Sequence, residues 1–494
     1  MTDWLVAPVV LPLLTSALAA LGRRRRRLQQ SLALVTAAAV AVMGVALVLA
    51  TASGRVLASA LGGWPPRFAI VLAADPLAAL LVSLTGMLSL AVLVSAIAGG
   101  EDHHPFFHPL VLVLLGGVCG SFLTADLFDL FVFFEVTLSA SYVLITLDGS
   151  RSQLRAAPVY IGMNLLGSLL FAAGVALVYG ATGTVNLAVL SSRPETATFA
   201  ALPAGVILAA FAVKAAVAPV GGWLPITYPV VHRSVGALFA GLLTTVGVAA
   251  AYRFYLVAYR GDPSFRPALL AVAAATMLVG VLGAAGRQDV REALSFQVVA
   301  QVGFMVLGLG LLGVVGIAAG VFFIVQDLVV KTAAFLCAGT ARDRIPTHGA
   351  EAGDEDASEL AHLRPLLAAA FLGVALSLSG LPPLSGFFGK ALLVHAAFGD
   401  GLHLVAVAAL AASLVALVSM LRVWRSVCWA AVEDRESLVP EESRWRLGMR
   451  TTSPAALVAL SLVVGLYPAW LQTVAVRAAE VLVDRSAYVE AVLR

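Results

Sequence analysis

Charged residues are scarce in this chain. They make up 12% of its 494 residues, whereas hydrophobic residues make up 61%. About a quarter of the residues of an ordinary soluble domain are charged, so this composition excludes a soluble globular protein. The apolar residues also fall in long blocks, such as 32–50, 76–98 and 455–474, and about twenty apolar residues form a helix that crosses a bilayer. The sequence therefore predicts an all-α polytopic membrane protein.

Cysteine is nearly absent too. The three cysteines, Cys119, Cys337 and Cys428, are scattered and form no CxxC pair. This pattern excludes a disulfide framework and offers no motif for zinc, an iron–sulfur cluster or flavin. We expect no metal and no cofactor in the chain, and the net charge of +3 gives no indication of nucleic acid as a partner.

The apolar blocks predict about fourteen transmembrane helices. The seventh and the twelfth of these spans are interrupted by prolines and glycines. The predicted spans are 4–21, 28–50, 76–98, 109–124, 128–147, 158–180, 203–228, 235–258, 268–285, 293–312, 314–338, 365–398, 401–422 and 454–476.

The arginines indicate the orientation of these spans. The cluster Arg23–Arg27 follows the first apolar block, whereas a signal peptide places its positive charge first. If the first span runs from outside to inside, 19 of the 28 arginines fall in cytoplasmic loops, as the positive-inside rule requires. Both termini are then predicted outside. Two cytoplasmic loops are long: 342–364 is acidic in its middle, and 424–450 is either a solvated loop or an amphipathic segment at the interface.

Lysine is the most informative residue type. The chain has only three lysines, Lys214, Lys331 and Lys390, and all three lie inside predicted spans. A charge at mid-bilayer costs at least about 2.5–3.5 kcal/mol. A desolvated lysine can lose its proton, whereas arginine stays protonated, so this distribution predicts a proton relay. The alternative is a static partner for a buried carboxylate, or a side chain that reaches the interface.

Buried carboxylates accompany the lysines. Glu135 shares a helix face with Ser139 and Tyr142, and Asp327 lies four residues before Lys331, where the two can pair along one face. Amides recur at the same spacing, with Asn164 before Ser168 and Gln297 before Gln301. These residues form either a hydratable row through the bundle or a set of ordinary interhelical hydrogen bonds.

The interruptions in spans seven and twelve lie close to lysines. Pro219 and Pro225 follow Lys214, and Pro382 and Pro383 precede Lys390. A broken helix frees backbone groups, which a membrane tolerates only inside protein or beside a water-filled cavity. Two breaks five spans apart are typical of two repeated five-helix units that carry ion sites at mid-membrane.

Several of these segments together resemble a known family, the antiporter-like subunits of respiratory complex I and of Mrp-type multisubunit sodium/proton antiporters. The similarity runs from about residue 70 to 425 and is strongest to the D-type subunits of the Mrp group. The segments are Phe131-Val-Phe-Phe-Glu135-Val with Ala140-Ser-Tyr142, Lys214 with Trp223-Leu-Pro225, Gly241-Leu-Leu-Thr-Thr-Val-Gly247, and Leu381-Pro-Pro-Leu-Ser-Gly-Phe-Phe-Gly-Lys390.

The resemblance implies a fold and roles for individual residues. It implies fourteen helices with two inverted five-helix repeats, in a bacterial cell (inner) membrane. By the same resemblance Glu135 pairs electrostatically with Lys214, Lys331 is the lysine of the eleventh helix, and Lys390 lies near the exit half-channel. The implied segments are 1–108 (helices 1–3), 109–258 (first repeat), 268–422 (second repeat) and 423–494 (cytoplasmic loop and helix 14).

The sequence departs from the family at the centre of this axis. Thr245 stands where members usually have a lysine, and Gln297 and Gln326-Asp327 stand where they often have histidines. Ile226 replaces an acidic residue after the Trp-Leu-Pro segment. These groups are thought to link the two half-channels, so either Asp327 rearranges the pairing with Lys331 or the chain is a divergent paralogue with reduced transport.

The resemblance implies a transporter subunit and not an enzyme. We expect a membrane subunit of a monovalent cation (sodium)/proton antiporter, which relays protons through its lysines and assembles with other membrane subunits. One alternative is the proton-pumping subunit of complex I (NADH-quinone oxidoreductase) or of a membrane-bound hydrogenase, which would make the chain part of a translocase. That alternative requires partners with iron–sulfur clusters or flavin. The other alternative is a mainly structural paralogue.

Overall fold

Helices make up most of the chain in the computed structural model, which describes residues 3–64, 69–192, 201–342, 365–428 and 444–494. The interpretations of the cytoplasmic loops 342–364 and 424–450 fall largely on 343–364 and 429–443, outside the described residues. The α-helices are α1 Ala7–Leu21, α2 Arg26–Thr51, α3 Pro76–Gly99, α4 Phe107–Leu123, α5 Leu127–Ile145, α6 Arg151–Thr182, α7 Leu187–Ser192, α8 Ala201–Ala215, α9 Trp223–Thr227, α10 Arg233–Leu238, α11 Thr244–Arg253, α12 Arg266–Ala285, α13 Val290–Gly310, α14 Val314–Arg342, α15 Pro365–Ser379, α16 Ser385–Gly399, α17 His403–Cys428, α18 Arg444–Leu466, α19 Pro468–Asp484 and α20 Ser486–Leu493.

The prediction of an all-α membrane protein is confirmed. In the described part of the chain, 11 helices are long and apolar enough to cross a membrane, or 12 if one bent pair counts as a single span. Two shorter apolar helices, α4 and α15, lie at the predicted fourth and twelfth spans. The total of fourteen spans stays a prediction. A short antiparallel hairpin, β1 Leu57–Ala60 and β2 Val71–Ala74, joins α2 to α3.

Small residues set the distance between neighbouring helices. A Cβ atom on Gly86 of α3 would lie 2.3 Å from the backbone nitrogen of Ala41 in α2. A Cβ atom on Gly280 of α12 would lie 2.3 Å from the backbone nitrogen of Ala300 in α13. Membrane helices gain most of their association energy from such close van der Waals packing, so these glycines fix two of the tightest helix pairs.

Both predicted helix breaks are present. The seventh span stops at the end of α8 and resumes through the 3-10 turn Val220–Gly222 and α9, and the twelfth stops at the end of α15 and resumes at α16. The peptide bonds before Pro219 and Pro383 are cis. Because proline has no N–H, Pro219 and Pro382 cannot donate to the carbonyls of Ala215 and Leu378 four residues earlier, so both carbonyls are left without their helical donors.

The predicted fourteenth span, 454–476, has the wrong bounds. The apolar helix α18 ends at Leu466, and α19 begins at Pro468 after a bend of 81°. Tyr467 leaves the helical region of backbone angles, because the ring of a following proline disfavours that region. Residues 468–476, which continue the apolar run, therefore belong to a separate helix, and α19 and α20 pack back onto α14, α3 and α7.

Ion pairs join the loops at the two ends of the bundle. At the end that carries Arg23–Arg27, called the inner end below, Arg26 bonds Asp102. At the opposite, outer end, Arg253 of α11 donates to Asp75 at 2.9 Å and to the carbonyl of Thr124 at 3.3 Å, and its guanidinium lies 5.9 Å from the ring of Tyr488 in α20.

Two arginines, Arg233 and Arg253, are buried near the ends of the bundle. The exposed fraction is 2% for Arg233 and 6% for Arg253, and each forms an ion pair, Arg233 with Glu101 and Arg253 with Asp75. The assignment of Arg233 to a cytoplasmic loop was wrong, because Arg233 begins α10 and pairs with Glu101 of the turn after α3.

We predict that Arg253→Gln destabilises the protein strongly. The change leaves the buried Asp75 carboxylate without its countercharge, and breaking one side of a buried pair costs about 3–5 kcal/mol. Thermal unfolding of the purified protein measures the loss. The control is Arg477→Gln, whose exposed pair with Glu480 contributes at most about 1 kcal/mol. Equal unfolding temperatures of the two variants would contradict the structural role of Arg253.

Candidate functional site

The first cluster of the candidate site surrounds Lys214 at the end of α8. The side chain is buried, and its ammonium donates a long hydrogen bond of 3.4 Å to Ser168 Oγ in α6. The ring of Phe134 in α5 lies 5.1 Å from the same ammonium, within the range of a cation–π interaction. Lys214 therefore has only weak, neutral partners at contact distance among the described residues.

Glu135 lies near this lysine without touching it. The ion pairs of the described residues, taken to 4.0 Å, do not include Glu135, although it interacts electrostatically with Lys214 at longer range. Its Oε1 atom is buried and has no hydrogen-bond donor in the described part of the chain, and the same holds for the hydroxyl of Tyr142. The predicted polar stripe on α5 thus presents two buried oxygen atoms without protein partners.

A small cavity of about 20 Å³ adjoins Lys214. Its lining includes Thr137, Tyr160 and Asn164, and one water molecule needs roughly 10–15 Å³ and two to four polar partners. A Cβ atom on Gly247 of α11 would lie 3.1 Å from Cβ of Lys214, so glycine allows α11 to pass beside the lysine. The site therefore has the volume and the polar lining to hydrate the Lys214 ammonium.

The second cluster contains an ion pair inside α14. Lys331 Nζ lies 2.6 Å from Asp327 Oδ2, and each side chain has an exposed fraction of 1%. The two residues are four apart on one helix face, as the sequence predicts. At this depth neither charge can be solvated by bulk water, so each depends on the other.

Lys390 lies in the second turn of α16, and its side chain contacts the break that precedes this helix. Its ammonium donates to the carbonyl of Leu378 at 2.6 Å and lies 4.5 Å from the ring of Phe304. Gln301 of α13 donates to the same carbonyl at 3.1 Å. Because Pro382 cannot use this carbonyl, the break provides the acceptor that the lysine needs.

Serine hydroxyls surround the same break. Ser385 Oγ donates to Gln326 Oε1 at 3.5 Å and lies 2.7 Å from Ser461 Oγ, which is 3.3 Å from Ser377 Oγ. The sequence analysis missed these three serines as a group. Ser377 and Ser385 flank the prolines and could have been selected, whereas Ser461 stands in an ordinary apolar run and only its packing identifies it.

Of the residues that depart from the family pattern, Thr245, Gln297, Gln326 and Asp327 are buried, whereas Ile226 is 53% exposed. The hydroxyl of Thr245 donates to the carbonyl of Gly241 in its own helix at 2.9 Å. Both polar side-chain atoms of Gln297 are buried without a partner in the described part of the chain, and each such atom costs about 1–3 kcal/mol. Among the described residues, no group of histidine, cysteine, aspartate and glutamate is arranged to bind a metal ion.

The structure thus places the predicted residues in two groups. Glu135 and Lys214 lie with Pro219 and Pro225 near the break in the seventh span, whereas Asp327, Lys331 and Lys390 lie with Gln326, Pro382 and Pro383 near the break in the twelfth. Thr245 and Gln297 form no side-chain hydrogen bond, among the described residues, with a lysine or a carboxylate.

Comparisons with known proteins identify relatives over the whole length of the chain. The family described as "NADH:quinone oxidoreductase/Mrp antiporter, TM" matches residues 124–416. The chain is 34% identical to the D-type subunit of the Na(+)/H(+) antiporter of Alkalihalophilus pseudofirmus, with 100% of both chains covered. A chain of the Mrp complex from Dietzia sp. DQ12-45-1b is 34% identical and has a TM-score of 0.93, covering 100% of this chain and 99% of that chain.

A redox complex contains a similar chain. Respiratory complex I from Thermus thermophilus includes a chain that is 25% identical, with a TM-score of 0.81 and coverage of 97% of this chain and 99% of that chain.

We predict that Asp327→Asn destabilises the protein and that adding Lys331→Met restores most of the loss. The single change leaves a buried ammonium without its carboxylate, which costs about 3–5 kcal/mol, and the second change removes that charge. Thermal unfolding of the purified proteins measures both effects. The control is Glu292→Gln, since Glu292 pairs with Arg287 in an exposed position. If the single and double variants unfold at the same temperature, Asp327 and Lys331 do not depend on each other.

Proposed function

The chain belongs to the NADH:quinone oxidoreductase/Mrp antiporter transmembrane family, and we propose that it is the membrane subunit of a multisubunit sodium/proton antiporter that relays protons through Lys214, Lys331 and Lys390. One observation carries this proposal. All three lysines of the chain are buried, and each lies beside a helix break or a buried carboxylate. The cation is proposed as sodium because a relative that is similar over its full length is a subunit of a Na(+)/H(+) antiporter.

The second cluster supports a relay between two lysines. Asp327 is in contact with Lys331 and interacts electrostatically with Lys390 as well. One carboxylate stabilises one ammonium better than two, since like charges repel strongly where water is excluded. A proton on Lys390 therefore favours release of a proton from Lys331, and the reverse also holds. This exchange of charge moves a proton without requiring both lysines to be charged together.

The first cluster supports proton exchange with water. Lys214 has a cavity large enough for one water molecule and only weak protein partners. Glu135 stabilises the charged lysine from a distance, so it adjusts how readily the ammonium releases its proton. The prolines at both breaks supply the irregular backbone that lines these positions, and this correspondence supports a division into repeats at 109–258 and 268–422.

The surface of α5 supports assembly with other subunits. Phe128, Val132, Ser139 and Val143 of α5 are exposed, and Glu135 on the same face is only partly buried. One oxygen of this carboxylate is buried, and exposure of the rest of the group to lipid is costly. We therefore propose that another membrane subunit covers this face of α5.

The distribution of charge supports an orientation. The five arginines Arg23–Arg27 lie at the inner end, where Arg26 also bonds Asp102. The positive-inside rule places this end in the cytoplasm. We propose a bacterial inner membrane with both termini outside.

A redox-driven pump is the alternative function. It is supported by the similarity to a chain of complex I, and it would use the same lysines. We expect the complex purified through a tag on this chain in mild detergent to be colourless and to contain only membrane subunits, because the similarity to the Mrp chain is higher in identity and in TM-score. A brown preparation with absorption from iron–sulfur proteins would contradict the antiporter and favour the pump.

We predict that Glu135→Gln and Lys214→Met each abolish sodium/proton exchange while the complex still assembles. Both changes remove a titratable group of the relay and keep a side chain of similar size. Exchange is measured in membrane vesicles with a pH-sensitive dye, and assembly by co-purification. Glu480→Gln, at an exposed position of the outer end, serves as the control. Wild-type exchange in either assembled variant would exclude that residue from the relay.

A further inference from the structure

A histidine at the inner end lies between two carboxylates from different loops. His232, which precedes α10, places Nδ1 3.3 Å from Glu101 Oε2 and Nε2 3.0 Å from Asp148 Oδ2. Glu101 belongs to the turn after α3, and Asp148 lies between α5 and α6. The three side chains therefore connect three separate segments at one point, which we name the His232 bridge.

The hydrogen-bonding capacity of imidazole determines what this bridge can do. A neutral ring has one N–H group and one acceptor nitrogen, whereas ionised carboxylates only accept. Both ring nitrogens face carboxylate oxygens, so both contacts are satisfied only when the ring carries two protons or a carboxyl group carries one. The geometry thus creates a position for one additional, exchangeable proton.

Exposure decreases stepwise across the bridge. The exposed fraction of the side chain is 27% for Asp148, 23% for His232 and 7% for Glu101. One nitrogen of the ring thus faces the solvent side and the other faces the buried side. This is the arrangement of a proton-transfer group at a boundary, and a purely structural pair such as His108 and Asp102, with 0% exposure of both side chains, lacks it.

An ionised carboxylate, Asp148, lies on the more exposed side of the bridge, where it attracts cations. The hydrogen bond from His232 holds the pKa of Asp148 below its ordinary value, so this carboxylate stays ionised at neutral and alkaline pH. Asp148 also accepts from Gln153 at 3.0 Å. The charged or titratable groups of the neighbouring segments are Glu101, His103, Arg233 and Arg291.

The chain on both sides of His232 leads to the first cluster of the functional site. On one side, α9 carries Trp223, and on the other, α11 carries Gly247, and both residues line the cavity beside Lys214. The bridge therefore lies at the connection between the two segments that line the cavity, at the inner end of the bundle. Tyr228, between them, donates to the carbonyl of Phe239 and joins the two segments.

We propose that the His232 bridge is the inner port through which protons reach the Lys214 cluster. A neutral ring with its proton on Nδ1 takes a second proton at Nε2 from water on the Asp148 side, and the imidazolium then releases its Nδ1 proton toward Glu101. Rotation of the ring then returns its vacant nitrogen to the Asp148 side. This inference rests on the proposed function, since it names the group that supplies protons to the relay.

The test measures proton uptake at the inner end at two pH values. Inside-out vesicles that contain the assembled complex are loaded with sodium, and its outflow drives proton uptake from the medium, which an internal pH-sensitive dye records. We expect His232→Gln to lower the initial rate about tenfold near pH 8.5, where free protons are scarce, since local charge raises the arrival rate of ions by about 10–10³. Near pH 6.5, where free protons are more abundant, the rate should approach that of the wild type.

Two further variants make the result decisive. Asp148→Asn should show the same alkaline defect, and it decides the question alone if His232→Gln does not assemble. His104→Gln, in the same inner segment but outside the bridge, should match the wild type at both pH values. A loss by the same factor at both pH values, or no loss at either, would overturn the port. Absence of exchange in the wild type would contradict the proposed function itself and remove the port with it.

Discussion

An ionised side chain that leaves water must find its solvation inside the protein, and this constraint organises the whole bundle. Lys331 finds it in Asp327, and Arg253 finds it in Asp75. Lys390 uses a backbone carbonyl and an aromatic ring, which are neutral and weaker partners. The buried groups thus differ in how firmly they are held. Arginines in ion pairs at the two ends fix the loops. In the described part of the chain, Lys214 and Lys390 contact only neutral groups, and Lys331 shares the Asp327 carboxylate with Lys390, so each lysine can release a proton.

The prolines of the two breaks connect this electrostatic requirement to the fold. A regular helix uses its carbonyls internally and has none to offer to a lysine. Pro382 withholds the N–H that Leu378 would otherwise receive, and Lys390 and Gln301 take that place. At the other break, Trp223 donates to the carbonyl of Val213. At the break in the twelfth span, the same proline thus interrupts the helix and frees the carbonyl that Lys390 and Gln301 use.

The sequence predicted the helices well because long apolar blocks have only one stable form in a bilayer. It located Lys214, Lys331, Lys390 and the breaks for the same reason, since a charge or a proline inside such a block is conspicuous. What it could not predict depends on distances across the fold. Ser461 has no local signal, the burial of Arg233 follows from the approach of a distant loop, and the bend at Pro468 was hidden by the apolar residues on both sides.

The bent C-terminal helices have a consequence for how the protein is made. Asp75 and Arg253 are separated by 178 positions in the chain, and Arg253 also lies 5.9 Å from the ring of the fully buried Tyr488 in α20. Ribosomes deliver these three residues in that order, so α3 and α11 enter the membrane long before α20 exists. The contact between Arg253 and Tyr488 can therefore form only after α20 has been synthesised. Until then the pair of Asp75 and Arg253 lacks the aromatic ring that packs beside it in the folded protein.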